Sequence, residues 1–370
     1  MPQTHHAVLP TATHDEAARE GFSSALRKLF TTELFPGVRE IYNASLLPKF
    51  EAEHGRKPQT VKEVSALLDQ TPYYREACLL GRTAQELVWD TVGESIERQL
   101  PALIDNARPK PGDCGSVAVD AKLPIPRYNQ AVDIHVMPGN FHTELAADDI
   151  YAGALYDRGV HVFAFGGLGE QNDAYGEAIV AYIKQHFPHL QPRRILDIGC
   201  GIGSATLPLA RAWPEAEVHG IDIGAPMVRY AHGRAESLGV KAHFSQQDMA
   251  ALNFPDGHFD LVVSIIVTHE APVPVLRKML AEAHRVLAPG GVMMHDGSFN
   301  GPPPDPFDAL MQSWFGHNAN EPFSFGFKRL DFAQAFEDAG FVRERFFSGT
   351  RPAVYLQGQL PPVSFIGAVK

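Results

Sequence analysis

One segment limits the fold of this chain more than any other. Arg194-Ile195-Leu196-Asp197-Ile198 leads directly into Gly199-Cys200-Gly201-Ile202-Gly203-Ser204, and a helix-compatible stretch follows over 205–213. A short apolar run that ends in alternating glycines reads as a buried strand, a tight turn and the opening of a helix. Glycine lets the backbone turn sharply, and it admits a ligand to van der Waals contact that a side chain would block. The dinucleotide fingerprint G-x-G-x-x-G would need a third glycine where this chain has Ser204, which disfavours a nicotinamide oxidoreductase without removing it as a rival. The acid two residues before the first glycine, Asp197, suits a cationic ligand better than a pyrophosphate.

The same alternation continues downstream. Strands are expected at 218–221, 240–245, 259–267 and 292–295, with helices at 226–238 and through Leu276, Met279, Leu280, Ala283 and Leu287. Gly239 and Pro289-Gly290-Gly291 mark the ends of those helices. Residues 330–339 read as a further helix, and 341–348 and 363–369 as two closing strands. Repeated strand-helix units with continuous apolar strands imply an α/β fold around a Rossmann-like sheet. Seven strands are expected, mostly parallel, with the last one antiparallel. Ligands on such sheets bind at the carboxyl ends of the strands.

Residues 1–145 read differently, as a mainly helical N-terminal region for packing, dimerisation or lid formation. Thr13 to Glu16 and Thr60 to Glu63 both fit the S/T-x-x-E capping box, and Thr71-Pro72 offers an N-cap followed by proline. Phe22, Ala25, Leu26 and Leu29 fall on one helical face; Leu80, Ala84, Leu87, Val88, Val92 and Ile96 fall on another. Between 108 and 140, prolines and glycines mark a crossing segment with a short strand expected at 132–137, and a helix is expected over 174–187. The second unit, 146–370, carries an insertion at about 297–328, whose Phe307, Trp314, Phe315, Phe323, Phe325 and Phe327 fit a lid over an apolar acceptor. Tyr151, Tyr156, Phe163, Phe165 and Tyr175 are placed to cap the ligand from the other side.

Composition narrows the partners. The chain has 370 residues and a net charge of -11, and the acidity is spread over both halves, so duplex nucleic acid and anionic membranes are not expected partners. Three cysteines without a C-x-x-C pair point to a reduced, cytoplasmic setting, and no spanning or export segment is read. The histidines, His135, His142, His161, His269, His295 and His317 among them, show no metal-ligand spacing, so no metal is expected. A small molecule is the expected partner, with a homodimer through the N-terminal helices as a further expectation.

Two more acids share the strand-end position of Asp197. Asp222 ends the second strand, where a carboxylate can accept from both hydroxyls of a ribose. Asp248-Met249, past the third strand, can meet an adenine through its exocyclic amine and its face. Each aspartate alone also reads as a cap or a turn residue. The matching segments are ILDIGCGIG (195–203), HGIDI (219–223), QQDMAALNFPDGHFDLVVS (246–264) and EAHRVLAPGGVMMHDG (282–297). Through them the chain resembles the class I S-adenosylmethionine-dependent methyltransferases, most of all the ubiquinone/menaquinone-biosynthesis-type small-molecule enzymes. The resemblance implies S-adenosyl-L-methionine as cofactor, held by Asp197, Gly199, Gly201, Gly203, Asp222, Ile223, Asp248, Met249 and Ser264. It implies methyl transfer to oxygen, carbon or nitrogen of a small acceptor; a non-catalytic binding or scaffold protein of the same fold is the rival. Where that family often carries a hydrophobic-His-His sequence, this chain has Val267-Thr268-His269-Glu270. His269, Glu270 and His295 are the residues expected on the catalytic rim, and each histidine reads equally as a structural hydrogen-bonder.

Overall fold

In strand β2 (Arg194–Ile198), side chains alternate between two hydrophobic cores: Ile195 joins one, and Leu196 and Ile198 join the other. Burial on both faces is what its continuous apolar run requires. The computed structural model describes residues 3–296, 301–351 and 363–370, so positions 297–300 of the expected lid lie outside the described residues. Ahead of β2 in the chain is β1 (Ser116–Ala118). After it come β3 (Glu217–Asp222), β4 (His243–Gln246), β5 (Phe259–Ser264), β6 (Leu287–Asp296), β7 (Phe346–Arg351) and β8 (Val363–Val369). They form one eight-stranded sheet in the order β1-β4-β3-β2-β5-β6-β8-β7. All pairings are parallel except those of β8, which runs antiparallel between β6 and β7.

The chain winds outward from β2 through β3 to β4, then returns to β5 on the other side. The crevice at the carboxyl ends of β2 and β5 is therefore the topological switch point. β1, beyond the seven expected strands, pairs in parallel with β4, Ser116 opposite His243. Three residues with mostly exposed side chains carry no apolar run, and only the open edge of β4 recruits them. The expected strand at 132–137 is instead a 3₁₀ turn, Ile134–Val136. Ile134 and Met137, three residues apart, are both buried anchors.

Both expected capping boxes form, at Thr13 with Glu16 and at Thr60 with Glu63. The helix His14–Leu29, however, turns its polar side inward. Glu16 takes two bonds from Arg98 (2.9 and 2.7 Å), Arg158 reaches Glu20 at 2.5 Å, and Phe22 is left 64% exposed. Periodicity locates an apolar stripe, but here the ion pairs decide which side faces the protein. The long helix Pro72–Ala107 places Val88, Trp89, Val92 and Ile96 in a core shared with Ile202, Met227 and Tyr230, next to the glycine loop. The helix Pro306–Asn318 of the insertion packs its Phe307, Leu310 and Met311 against Val38, Val64, Leu68 and Tyr74 of the N-terminal helices. Among the described residues, no helix is long and apolar enough to cross a membrane.

A buried ionic network joins these parts. Asp157, on the helix Tyr151–Phe163, accepts from Tyr230 Oη (2.8 Å), Asn172 Nδ2 (2.7 Å) and Gln3 Nε2 (2.8 Å). His6 Nε2 and Arg234 Nε also lie at its carboxylate, at 3.2 and 3.4 Å. Burial alone would raise this carboxyl, but the Arg234 charge and the hydrogen bonds outweigh it and hold it at about 2. Arg234 in turn donates to the Ile202 carbonyl in the glycine loop at 2.9 Å. Removing one partner leaves the other charge buried and unpaired. Asp157→Ala is therefore expected to cost about 3–5 kcal/mol in denaturant unfolding, and a loss under about 1 kcal/mol would show that the network is not structural.

Candidate active site

The site is built from turns at the carboxyl ends of β2, β3, β4 and β5. Gly199 takes φ +71°, a conformation that side chains rarely adopt, and a Cβ there would come within 2.6 Å of Val267. Its glycine is thus demanded both by the turn and by the close approach of the segment after β5. Asp222 clasps the loop, accepting from Gly201 N–H through Oδ2 (3.0 Å) and from Gly224 N–H through Oδ1 (2.9 Å). Asp248 accepts from Ala250 N–H at 2.8 Å in its own turn.

Two adjoining cavities open here, of about 450 and 330 Å³. Gly199, Asp222, Val267, Glu270 and Phe141 line both. Ile223, Asp248, Met249 and Tyr128 line the larger, and Gly201, Tyr156 and Met227 the smaller. Asp197, Gly203 and Ser264 lie outside these linings. Asp197 is buried beneath the loop, where Thr206 Oγ1 donates to it at 2.6 Å. Ser264 is buried at the end of β5, with its carbonyl 3.0 Å from His295 Nδ1. Burial pushes the Asp197 carboxyl up to about 7 and the Asp222 carboxyl up to about 6.

The catalytic rim divides. His295 is buried, braced between Thr268 Oγ1 (2.7 Å) and the Ser264 carbonyl, and burial pushes it down to about 3. That arrangement suits a brace tying β6 to the turn after β5. His269 and Glu270 sit on that turn, Thr268–Glu270; His269 is buried, while Glu270 faces both cavities and pairs with His135 at 3.0 Å. Sequence reading missed Tyr128, Asn129 and Phe141, which come from the crossing segment and carry no motif. It also missed Gln247, although that residue adjoins Asp248. Of the aromatic cap, Tyr156 reaches a cavity wall, whereas Tyr151 is packed into the core shared with the long helix.

Two carboxylates on one cavity, a thioether beside one of them, a glycine-lined floor and a buried acid beneath it fit a nucleoside that bears a cationic arm. The fold and the site resemble those of class I S-adenosylmethionine-dependent methyltransferases. Residues 195–291 match the family described as "Methyltransferase domain". Over 124 residues the chain is 39% identical to demethylmenaquinone methyltransferase of Thermus thermophilus, covering 34% of this chain and 55% of that protein. It is 36% identical to ajmaline N-methyltransferase of Rauvolfia serpentina, over 29% of this chain and 36% of that one. It is also 38% identical to malonyl-[acyl-carrier protein] O-methyltransferase of Halorhodospira halophila, over 28% and 35%. The chain thus spans about half or less of the length of these curated relatives.

The lining is chemically compatible with S-adenosylmethionine: the Asp222 and Asp248 carboxylates, the Met249 thioether and the glycine turn. Both Asp197 and Asp222 have pKa values raised above the usual 3.8. The folded protein therefore holds protons that the unfolded chain has released, and these two acids subtract stability as pH rises from about 4 to 7. A cation bound beside them favours the carboxylates, so affinity for the cofactor is expected to climb between about pH 5 and 8 and then level, with proton release on binding. Calorimetry in buffers of different ionisation enthalpy measures this. A flat pH profile, or one that Asp197→Asn leaves unchanged, would contradict the assignment.

Proposed function

We propose that this protein is an enzyme that transfers a methyl group from S-adenosylmethionine to a small organic acceptor. The observation that carries the reading is Asp222, held by two backbone N–H groups on the wall of both cavities with Asp248 and Met249 beside it. Bound there, the cofactor would supply an electrophilic methyl on a sulfonium that leaves as a neutral thioether. Such a transfer asks the protein mainly for in-line positioning, with the acceptor's nucleophilic atom deprotonated. Phe141, Tyr156 and Val267 line the smaller cavity and would exclude water, while Glu270 offers a carboxylate at its edge. His269 and Glu270 are proposed to meet the acceptor, and His295 to hold the turn that carries them. The three relatives are named for demethylmenaquinone, ajmaline and malonyl-[acyl-carrier protein], and a further relative of Gibberella zeae is named a sterol 24-C-methyltransferase, so oxygen, nitrogen and carbon acceptors are all open.

The N-terminal region is read as part of the same machine, since its long helix and the insertion both pack around the site. Pairing of two copies through His14–Leu29 is supported by the outward Phe22 and Leu29. A reduced, cytoplasmic setting agrees with Cys78, Cys114 and Cys200 being free thiols.

Calorimetry with S-adenosylmethionine is expected to show binding that Asp222→Ala weakens about 10- to 100-fold, the scale of losing hydrogen bonds to a charged group. Absence of binding to the wild type would end this reading, and stoichiometric NADH binding would favour the oxidoreductase. With labelled cofactor and a metabolite extract, His269→Ala is expected to lower turnover while cofactor affinity is kept. Binding without any label transfer would point to the scaffold reading.

A further inference from the structure

Three polar side chains, from two segments far apart in the chain, meet beside the cavities. His135, His269 and Glu270 each offer one ligand atom, and these atoms all lie within 4.8 Å of one another. His135 comes from the crossing segment and the other two from the turn after β5. His135 Nε2 stands 3.0 Å from Glu270 Oε1, and its other ring nitrogen, Nδ1, stands 3.0 Å from Glu321 Oε1 of the insertion.

The backbone of His135 is held in place with unusual firmness. Gln85 Nε2 and Trp89 Nε1, both on the long N-terminal helix, each donate to its carbonyl at 2.8 Å. The residue and its neighbour Val136 take φ +58° and +62°, left-handed values that a β-branched valine rarely adopts. Strain of this kind costs roughly 1–3 kcal/mol per residue and persists where the surroundings over-determine it, commonly at ligand clamps.

We infer that His135, His269 and Glu270 form a binding site for one divalent transition-metal ion, with Glu321 as the outer carboxylate that orients His135. Ligand atoms around one zinc ion, with bonds of about 2.0–2.2 Å, lie roughly 3–3.5 Å apart. His135 Nε2 and Glu270 Oε1 already have that spacing, and the His269 nitrogen, within 4.8 Å of both, would close on them by up to roughly 1–2 Å. A carboxylate on the far nitrogen of a metal-binding histidine fixes the tautomer and leaves the near nitrogen to the ion, and Glu321 has that position. Two imidazoles and one carboxylate, with no thiolate, suit zinc or a neighbouring divalent ion. Three protein ligands leave coordination positions open. Because Glu270 also faces both cavities, the open side adjoins the acceptor space. Such an ion would take an oxygen-bearing acceptor, a phenol, a vicinal diol or a carboxylate. This last step, from ion to acceptor class, rests on the methyl-transfer reading; the ion site does not.

The test uses the full chain, stripped with a chelator and titrated with Zn²⁺ alone by calorimetry, and with Co²⁺ alone by visible absorption. One equivalent is expected, with the Co²⁺ bands of a nitrogen- and oxygen-ligated ion. His135→Ala and His269→Ala should each abolish that equivalent, and Glu321→Gln should weaken it about 10- to 100-fold. Circular dichroism and binding of the demethylated cofactor check that each variant is folded. Should the histidine variants fail to fold, Glu321→Gln and the wild-type Co²⁺ spectrum carry the test. A wild type that binds neither ion stoichiometrically would overturn the site and leave the cluster as an ion pair, and so would folded histidine variants that keep the bound equivalent. Both readouts work without turnover, so a loaded protein that transfers no methyl group would fail the methyl-transfer reading alone.

Discussion

The buried pair of Asp157 and Arg234 is the joint on which the rest of the molecule depends. Its carboxylate gathers the N-terminal segment through Gln3 and His6, the helix Ala225–Ser237 through Tyr230 and Arg234, and the approach to β2 through Asn172. The guanidinium passes the constraint on to the glycine loop through the Ile202 carbonyl. Such a pair adds little net stability by itself, because desolvation consumes most of the Coulomb gain. What it enforces is geometry: the N-terminal helices have one way to seat on the sheet, and the cofactor loop is held from behind.

That seating makes the site a composite. The class I domain supplies the glycine loop, Asp222 and Asp248. The wall opposite is Tyr128, Asn129 and Phe141 from the crossing segment, and the long helix fixes His135 through Gln85 and Trp89. The insertion reaches the same place with Glu321, and its helix Pro306–Asn318 is anchored on the N-terminal helices rather than on the sheet. Arg39 reinforces that anchor by pairing with Asp308. The glycine loop and the strand-end acids fall within residues 195–291, the stretch that matches the family. The cavity wall opposite them also draws on segments outside that stretch.

Legibility followed the range of the interactions involved. The glycine loop and the strand-helix alternation were readable because each rests on neighbours in the chain: backbone conformation, side-chain period, capping. The helix Ala174–His186 and the strand β8 were read nearly residue for residue. β1 was not, since a three-residue edge strand exists only because β4 has an open edge. The inward side of His14–Leu29 was not legible, because ion pairs with Arg98 and Arg158, far along the chain, outweigh an apolar stripe. His135 went unnoticed as a partner of His269 because no spacing rule links positions so far apart.

By itself, the sequence determined that this chain holds a Rossmann-like sheet with an acid at the end of three successive strands, and hence a place for a nucleoside bearing a positive arm. Those are local facts, set by glycine conformations, apolar periodicity and turn chemistry, and they survive in any folded context. Only the tertiary structure decided which acids face a cavity and which lie beneath it, that His295 is a brace, and that His135, Glu270 and Glu321 meet. Those outcomes depend on desolvation and on contacts between separate segments, 27 residues apart for Thr268 and His295 and 135 for His135 and Glu270, which come into being only when the chain closes on the sheet.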